Sequence, residues 1–352
     1  MYDYNPNLYD FLNEHISCYT KEVNDEQDVT IEWEGLNLSK KYFVILYYIE
    51  GFFPKSLLIR IHNAIEKYKL PADKIIFINS DLRLKENYDK WFDTTEFQEK
   101  IKVLGIDGSY WNYRIVFDGS VVHNRGISKE DYRDLFRDIN PVDRRSKTFI
   151  HLNRNMHYSR KLLLGRLRRN EKYLDKVYVS EMEYNKSLDG LGYFIRDGGD
   201  FGDTHFDWPI SISLKKFHDD SYFSIVHNID SDSMDNRLFL DEKIIKPLYF
   251  GQPFLYIAHR GSLEYLRSVG YETFPELFDE SYDDLPQDKP RSLLTQTEFF
   301  VNEINRVLNF TMDEVHDMYN SVWDKIRHNQ DTFFYGTKPL EKTKENLLKV
   351  LG

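Results

Sequence analysis

The run Tyr42-Phe43-Val44-Ile45-Leu46-Tyr47-Tyr48-Ile49, the segment Pro54 to Tyr68 and the run Lys74-Ile75-Ile76-Phe77-Ile78-Asn79 together decide the fold. The first run is uninterrupted, β-branched and aromatic, which is the pattern of a strand buried on both faces. Pro54 suits a first helical position. Leu57, Leu58, Ile61, Ala64, Ile65 and Tyr68 then recur at helical spacing until Pro71 stops the segment. The third run reads as a second buried strand. Strand, helix and strand within about forty residues form a βαβ unit with a right-handed crossover and a parallel sheet.

Working outward, Asp28 to Trp33, Ile101 to Leu104 and Tyr113 to Phe117 are expected to add strands to this first sheet. Arg137 to Lys147, with Pro141 and several charges, reads as a linker, after which the alternation restarts. Thr148 to Asn153 is a predicted strand, Tyr158 to Asn170 a helix and Lys176 to Ser180 a strand. Tyr222 to Val226 and Phe254 to Ile257 continue the pattern. Ser187 to Asp220 is rich in Gly and Asp and reads as loops with short helices. Ser292 to Phe334 is helical, with apolar faces that include Phe300, Ile304, Val307, Val315, Tyr319 and Ile326. No internal repeat or low-complexity tract is visible. The expected fold class is α/β: two Rossmann-like domains over residues 1–143 and 144–291, with a helical segment over 292–352 packing back across them. In this class ligands sit at the carboxyl ends of the strands.

At 352 residues the chain exceeds the usual size of one core, and 41% hydrophobic with 16% aromatic residues excludes a disordered chain. The net charge of -11, spread along the sequence, argues against a protein built mainly to grip duplex phosphates. Cys18 is the only cysteine, so no intrachain disulfide and no cysteine-rich zinc site can form, and a reducing, cytoplasmic location is expected. The N-terminal Met1-Tyr2-Asp3-Tyr4-Asn5 lacks the features of a signal peptide. The longest apolar run, Tyr42 to Phe53, is interrupted by Glu50 and too short to span a bilayer, so no membrane span is expected. Scarce Ala with abundant Tyr, Phe, Ile, Asn, Asp and Lys is the bias of AT-rich coding sequence, as in many viruses and some bacteria.

Two segments carry the chemistry. Leu240-Asp241-Glu242-Lys243-Ile244-Ile245-Lys246-Pro247 sets a carboxylate and two amines at the start of an expected amphipathic helix, ahead of the turn Gly251-Gln252 and the strand Pro253 to Ala258. A helix start favours anions, so its amides with Lys243 or Lys246 could hold a phosphate while Glu242 accepts from sugar hydroxyls. Asn153-Arg154-Asn155-Met156-His157-Tyr158-Ser159-Arg160 follows the strand that opens the second domain. There Arg154 and Arg160 offer bidentate phosphate contacts, and Ser159 could cap the helix.

The run Asp241-Glu242-Lys243-Ile244-Ile245, followed by a short helix and an apolar strand, resembles the donor-binding signature of the alpha-1,3-fucosyltransferases, and Arg160 resembles their phosphate-binding arginine. A closer resemblance is to the glycosyltransferases of bacteriophages and large DNA viruses. It is carried by Asn153-Arg154, His157 with Arg160, Asp241-Glu242-Lys243, Lys246-Pro247, Gly251-Gln252-Pro253-Phe254, Gly261 to Phe274 and Phe278 to Asp284. It covers about residues 148 to 284. The resemblance implies a GT-B fold, with the nucleotide-sugar donor on the C-terminal domain and the acceptor bound mostly by the N-terminal one across a central cleft. It implies transfer of a sugar from a nucleoside diphosphate sugar, GDP-fucose-like or a UDP-sugar, to a glycan or other hydroxyl acceptor, with inversion and without a metal or other required cofactor. Glu242 would then bond the ribose, Lys243 and Arg160 would neutralise the diphosphate, and Arg154 and Lys246 would assist. The chain departs from the pattern at His227-Asn228, two further candidates for donor contact.

An inverting transferase needs a base for the acceptor hydroxyl. Glu50, after the most apolar strand and before Gly51, is the leading candidate, with Asp81 and Asp107 as competitors. Asp219-Asp220, Asp230-Ser231-Asp232 and Asp283-Asp284 do not follow a buried strand as a metal-binding Asp-x-Asp should, and they read as turns or solvated faces. His205, His259 and His328 show no zinc spacing, and Gly190-Leu191-Gly192 is no dinucleotide fingerprint. Two alternatives belong to other classes. One is a viral enzyme glycosylating hydroxylated pyrimidines in DNA, the one case with a nucleic-acid partner; its location would be the host cytoplasm. The other is a catalytically degenerate glycan-binding or assembly protein.

Overall fold

The computed structural model describes residues 11–14, 16–23, 38, 41–47, 53–108, 110, 129–153, 157–181, 214–228, 237–283 and 292–352. The chain divides into two compact units: Met1–Val116 with Asp235–Leu240 and Lys338–Gly352, and Phe117–Met234 with Asp241–Thr337. Among the described residues, no helix is long and apolar enough to cross a membrane.

In the first unit the strands β1 (Cys18–Val23), β2 (Tyr42–Tyr47), β3 (Ile75–Asn79) and β4 (Lys102–Gly105) form a wholly parallel sheet in that spatial order. The βαβ unit forms as the sequence dictates, with helix α1 (Lys55–Tyr68) between β2 and β3, and α2 (Leu84–Phe92) leading to β4. Because side chains alternate along a strand, Phe43, Ile45, Ile75 and Phe77 bury against Leu57, Leu58, Ile61, Leu84 and Tyr88 on one face. Val44, Leu46, Ile76, Ile78 and Leu104 face the other way and pack with Leu12 and Leu347. Each such fully buried aliphatic side chain contributes about 1.5–3 kcal/mol relative to exposure. Leu347 belongs to the C-terminal helix Lys338–Leu351, whose end is tied to β4 by Lys102 Nζ donating to the Val350 carbonyl at 2.5 Å. The expected strands Asp28 to Trp33 and Tyr113 to Phe117 lie outside the described residues.

The second unit holds β5 (Lys147–Asn153), β6 (Val177–Glu181), β7 (Ser221–His227) and β8 (Phe254–Ile257), again all parallel, in the order β6-β5-β7-β8. Its helices are α3 (Lys129–Arg137), α4 (Tyr158–Leu167), α5 (Glu171–Lys176), α6 (Lys215–Asp219), α7 (Ile245–Phe250), α8 (Ser262–Ser268), α9 (Leu293–Leu308), α10 (Met312–Ser321) and α11 (Trp323–Tyr335). Helix α4 is three residues shorter than expected, because Asn170 leaves the helix to cap α5, accepting from the Lys172 amide at 3.0 Å.

Helix α3, just before the expected linker, was not anticipated. Its sequence Lys-Glu-Asp-Tyr-Arg-Asp-Leu-Phe-Arg is largely charged, and Phe136 anchors it edge-on against Tyr249 and Phe250, 5.0 and 5.2 Å between ring centroids. A second correction concerns α7. It is six residues long and buried on every side, so it is not the amphipathic helix expected from its lysine. It ends at Gly251 in the left-handed conformation, φ 66°. Buried Gln330 of α11 takes up carbonyls at the ends of α3 and α7, donating to Phe136 O at 2.9 Å and Tyr249 O at 3.0 Å.

Candidate functional site

The second sheet reverses its winding between β5 and β7: from β5 the chain moves outward to β6, then returns to place β7 on the other side of β5. The connections leaving the two carboxyl ends part at such a switch point, so ligands collect there. In this protein the ends are Asn153 and His227, both buried.

Arg160 stands at the switch point on the first turn of α4. It is 1% exposed, and its Nη2 donates to the His227 carbonyl at 2.6 Å, joining the helix after β5 to the end of β7. The helix enters through His157, in extended backbone and with no side-chain capping bond, and Ser159 lies inside the helix; the expectation that Ser159 caps it is corrected. Lys243 lies within the 3-10 turn Glu242–Ile244 that precedes α7. Its side chain, with those of Leu152, Val226, His227, Lys246 and Pro247, borders a cavity of about 20 Å³, space for one water. His227 also borders a smaller cavity together with Ser159, Ile257 and Gln296.

Burial holds the His227 imidazole well below the usual histidine range, and the charges of Arg160, Lys243 and His157, with His151, lower it further. His151, on β5, bonds Tyr173 Oη at 2.8 Å, and burial followed by the Arg160 charge pushes it down to about 3. Both histidines are therefore neutral at neutral pH, and they contribute dipoles and shape while Arg160, Lys243 and Lys246 carry the positive charge. Lys246 is buried. Asn228 is also buried and closes the sheet end: its amide donates to Ile257 O at 2.9 Å and its Nδ2 to Tyr256 Oη at 3.4 Å.

The structure thus brings Arg160, His227, Lys243 and Lys246 to one end of one sheet. Glu50 and Arg154 lie outside the described residues, and for Glu242 only the backbone is described. Sequence reasoning missed the role of Asp241. Its carboxylate accepts from the Lys243 amide at 3.2 Å and pairs with Lys243 Nζ at 3.0 Å, so the helix-start amide expected to greet an anion is already occupied. The available signal was an Asp two residues before the lysine, the spacing at which an Asp side chain bonds the backbone ahead of it.

In the first unit, Asp81 follows β3 and is fully buried. Oδ1 accepts from the amides of Arg83 at 2.9 Å and Leu238 at 3.0 Å, and Oδ2 from Asn87 Nδ2 at 2.8 Å. These bonds lower its pKa but burial outweighs them and leaves it raised. Asp81 anchors segment 237–240, and Asp107 turns its carboxylate to the Tyr110 amide at 3.1 Å. Of the acidic pairs, Asp219 pairs with Lys215 on α6, and Asp220 takes Ser146 and Tyr178. Asp283 lies in a turn, one of the two readings expected for it, and is buried there, accepting the Glu264 amide of α8 at 2.9 Å. His259 is buried and His328 bonds the Gly270 carbonyl at 2.7 Å. Asp230, Asp232, Asp284 and His205 lie outside the described residues. Among the described residues, no group of three or more His, Cys, Asp or Glu is placed to hold a metal ion.

No family model and no curated protein matches the chain. Among solved structures it is similar to the spinosyn rhamnosyltransferase SpnG, with a TM-score of 0.32 and 11% identity over 82% of this chain and 71% of that one. It is also similar to the glycotransferase of kitacinnamycin, with a TM-score of 0.29 and 10% identity over 85% of this chain and 75% of that one.

Proposed function

We propose that the protein is a glycosyltransferase of the GT-B type that moves a sugar from a nucleoside diphosphate sugar to a hydroxyl acceptor. The observation that carries this reading is the convergence of Arg160 and Lys243 on His227 at the switch point of the second sheet. A leaving nucleoside diphosphate gains negative charge in the transition state, and fixed cations aimed at that charge lower the barrier. Arg160 is buried and held by its bond to a backbone carbonyl, so its charge acts through a medium less screened than water. Lys243 approaches from the 3-10 turn before α7 and Lys246 from the first turn of α7 itself.

In this reading the reaction runs without a metal, the three cations supplying the charge compensation. The acceptor base belongs to the first unit, where Glu50 remains the proposed group because Asp81 is committed to Leu238, Arg83 and Asn87. Ligand-induced stabilisation tests the proposal. GDP or UDP at a hundred times its Kd is expected to stabilise the protein by about 2.7 kcal/mol through linkage, and Lys243→Ala to abolish the shift. No shift with any nucleoside diphosphate or its sugar would sink the reading.

A further inference from the structure

We propose that Asp241 is a positioning residue that holds Lys243 when the nucleotide site is empty, and that its charge lowers the affinity of the site for nucleoside diphosphate. The inference rests on the reading above, in which Lys243 meets the diphosphate.

Asp241 is 2% exposed, and a carboxylate so placed needs both a counter-charge and hydrogen-bond donors. Lys243 supplies both: its amide to Oδ1 at 3.2 Å and its Nζ to Oδ2 at 3.0 Å. The two interactions close a small ring over Asp241, Glu242 and Lys243, which fixes the backbone of the 3-10 turn and the direction of the lysine side chain together. That side chain is 16% exposed and borders the same cavity as His227 and Lys246.

A diphosphate reaching Nζ therefore meets a lysine whose charge is already compensated by a neighbouring anion. Binding exchanges one anionic partner for another, and the carboxylate left behind repels the newcomer. Weaker product binding is the functional consequence. A nucleoside diphosphate is both the leaving group and the species that must depart before the next donor enters, and a site with uncompensated cations would retain it.

The two parts of the Asp241 role separate by substitution. Asp241→Asn keeps an oxygen for the Lys243 amide and removes the charge; Asp241→Ser also keeps a short acceptor and serves if the Asn variant folds poorly. Titration calorimetry with GDP and with UDP on the full chain compares wild type, these variants and Lys243→Ala. The expected result is about tenfold tighter binding for Asp241→Asn or Asp241→Ser, the size of one screened charge removed at a distance of several ångströms, with binding lost in Lys243→Ala. Wild-type or weaker affinity in both Asp241 variants, with Lys243→Ala still losing binding, would overturn the proposal and leave Asp241 as a turn cap. If wild type binds neither nucleotide, the reading of the site fails and this inference falls with it, a result distinct from the first.

Discussion

Arg160 donates from Nη2 to the carbonyl of His227 at 2.6 Å, so the helix that follows β5 is pinned to the end of β7 across the point where the sheet changes direction. A fully buried guanidinium bonded to a carbonyl is stabilising only while both partners are present, since either alone would be a desolvated polar group. The same bond sets the position of the charge at the candidate site, which couples fold stability to function through one side chain.

Arg160→Ala is expected to cost about 3 kcal/mol or more, through the hydrogen bond lost to the His227 carbonyl and the volume left empty. Arg160→Lys, which keeps the charge but not the planar fork, should cost about 1–2 kcal/mol. Urea unfolding followed by circular dichroism measures both. Equal stability of all three proteins would show that the bond contributes nothing.

Asp81 fixes segment 237–240 by a reciprocal pair of bonds, since Leu238 N donates to Asp81 Oδ1 while Leu82 N donates to Leu238 O at 2.8 Å. Asp81→Ala leaves the Leu238 and Arg83 amides without this acceptor, with an expected loss of about 2–4 kcal/mol. Hydrogen exchange should speed up at Leu238 and Arg83 ahead of the centre of β3. Unchanged exchange at Leu238 would contradict the anchoring role.

Gly105 ends β4 where the chain passes Asp81, and a Cβ there would overlap the Asp81 backbone carbonyl. Backbone cannot yield as a flexible side chain can, so Gly105→Ala should destabilise by about 2 kcal/mol or more. Gly165, on α4, meets nothing within 4 Å, and Gly165→Ala should stabilise by about 0.5–1 kcal/mol. The pair of melting temperatures, one lowered and one raised, checks the packing.

Acid should weaken the fold through its buried histidines. His62 is pushed down to about 4 by burial, His151 to about 3, and His227 lies well below its usual value, against an ordinary 6.5. A lowered folded-state pKa means that the unfolded chain takes up the proton first. Stability is therefore fully present above about pH 6.5 and falls as pH drops towards 4 for His62 and 3 for His151, by about 1.4 kcal/mol per pH unit for each histidine in its window. Denaturant midpoints measured from pH 7.5 to 4.5 should decline. His151→Phe should flatten the slope even if it lowers stability at pH 7.5, and an unchanged slope would remove His151 from the account.

The strands β2, β3 and β8 were legible in the sequence because they are nearly continuous apolar runs, and β5 and β7 because aromatic and β-branched residues dominate their centres. Strand β1, Cys18–Val23, carries Thr20, Lys21 and Glu22 and was not anticipated. Helix α3 was not anticipated either, because its nine residues are mostly charged and what holds it is tertiary: Phe136 against Tyr249 and Phe250, and Gln330 and Arg327 donating to its last carbonyls. Arg160 and Lys243 could be named from their places after strands. Their meeting at His227 could not, since it depends on β7 lying beside β5, a pairing between segments about seventy residues apart. Asp241 stood in plain view beside Lys243, yet its side chain could face solvent or the turn with equal ease until the 3-10 turn fixed it. The expected amphipathic helix at Ile245–Phe250 failed for a related reason: Lys246 is buried, so a lysine in the sequence did not mark a solvent face.

The most direct measurement is a crystal structure of the protein soaked with GDP or UDP. The account expects the two phosphates at the carboxyl ends of β5 and β7, within hydrogen-bond distance of Lys243 Nζ and beside the Arg160 guanidinium. A nucleotide bound away from these residues, or well-diffracting crystals that hold none at millimolar soak, would contradict it.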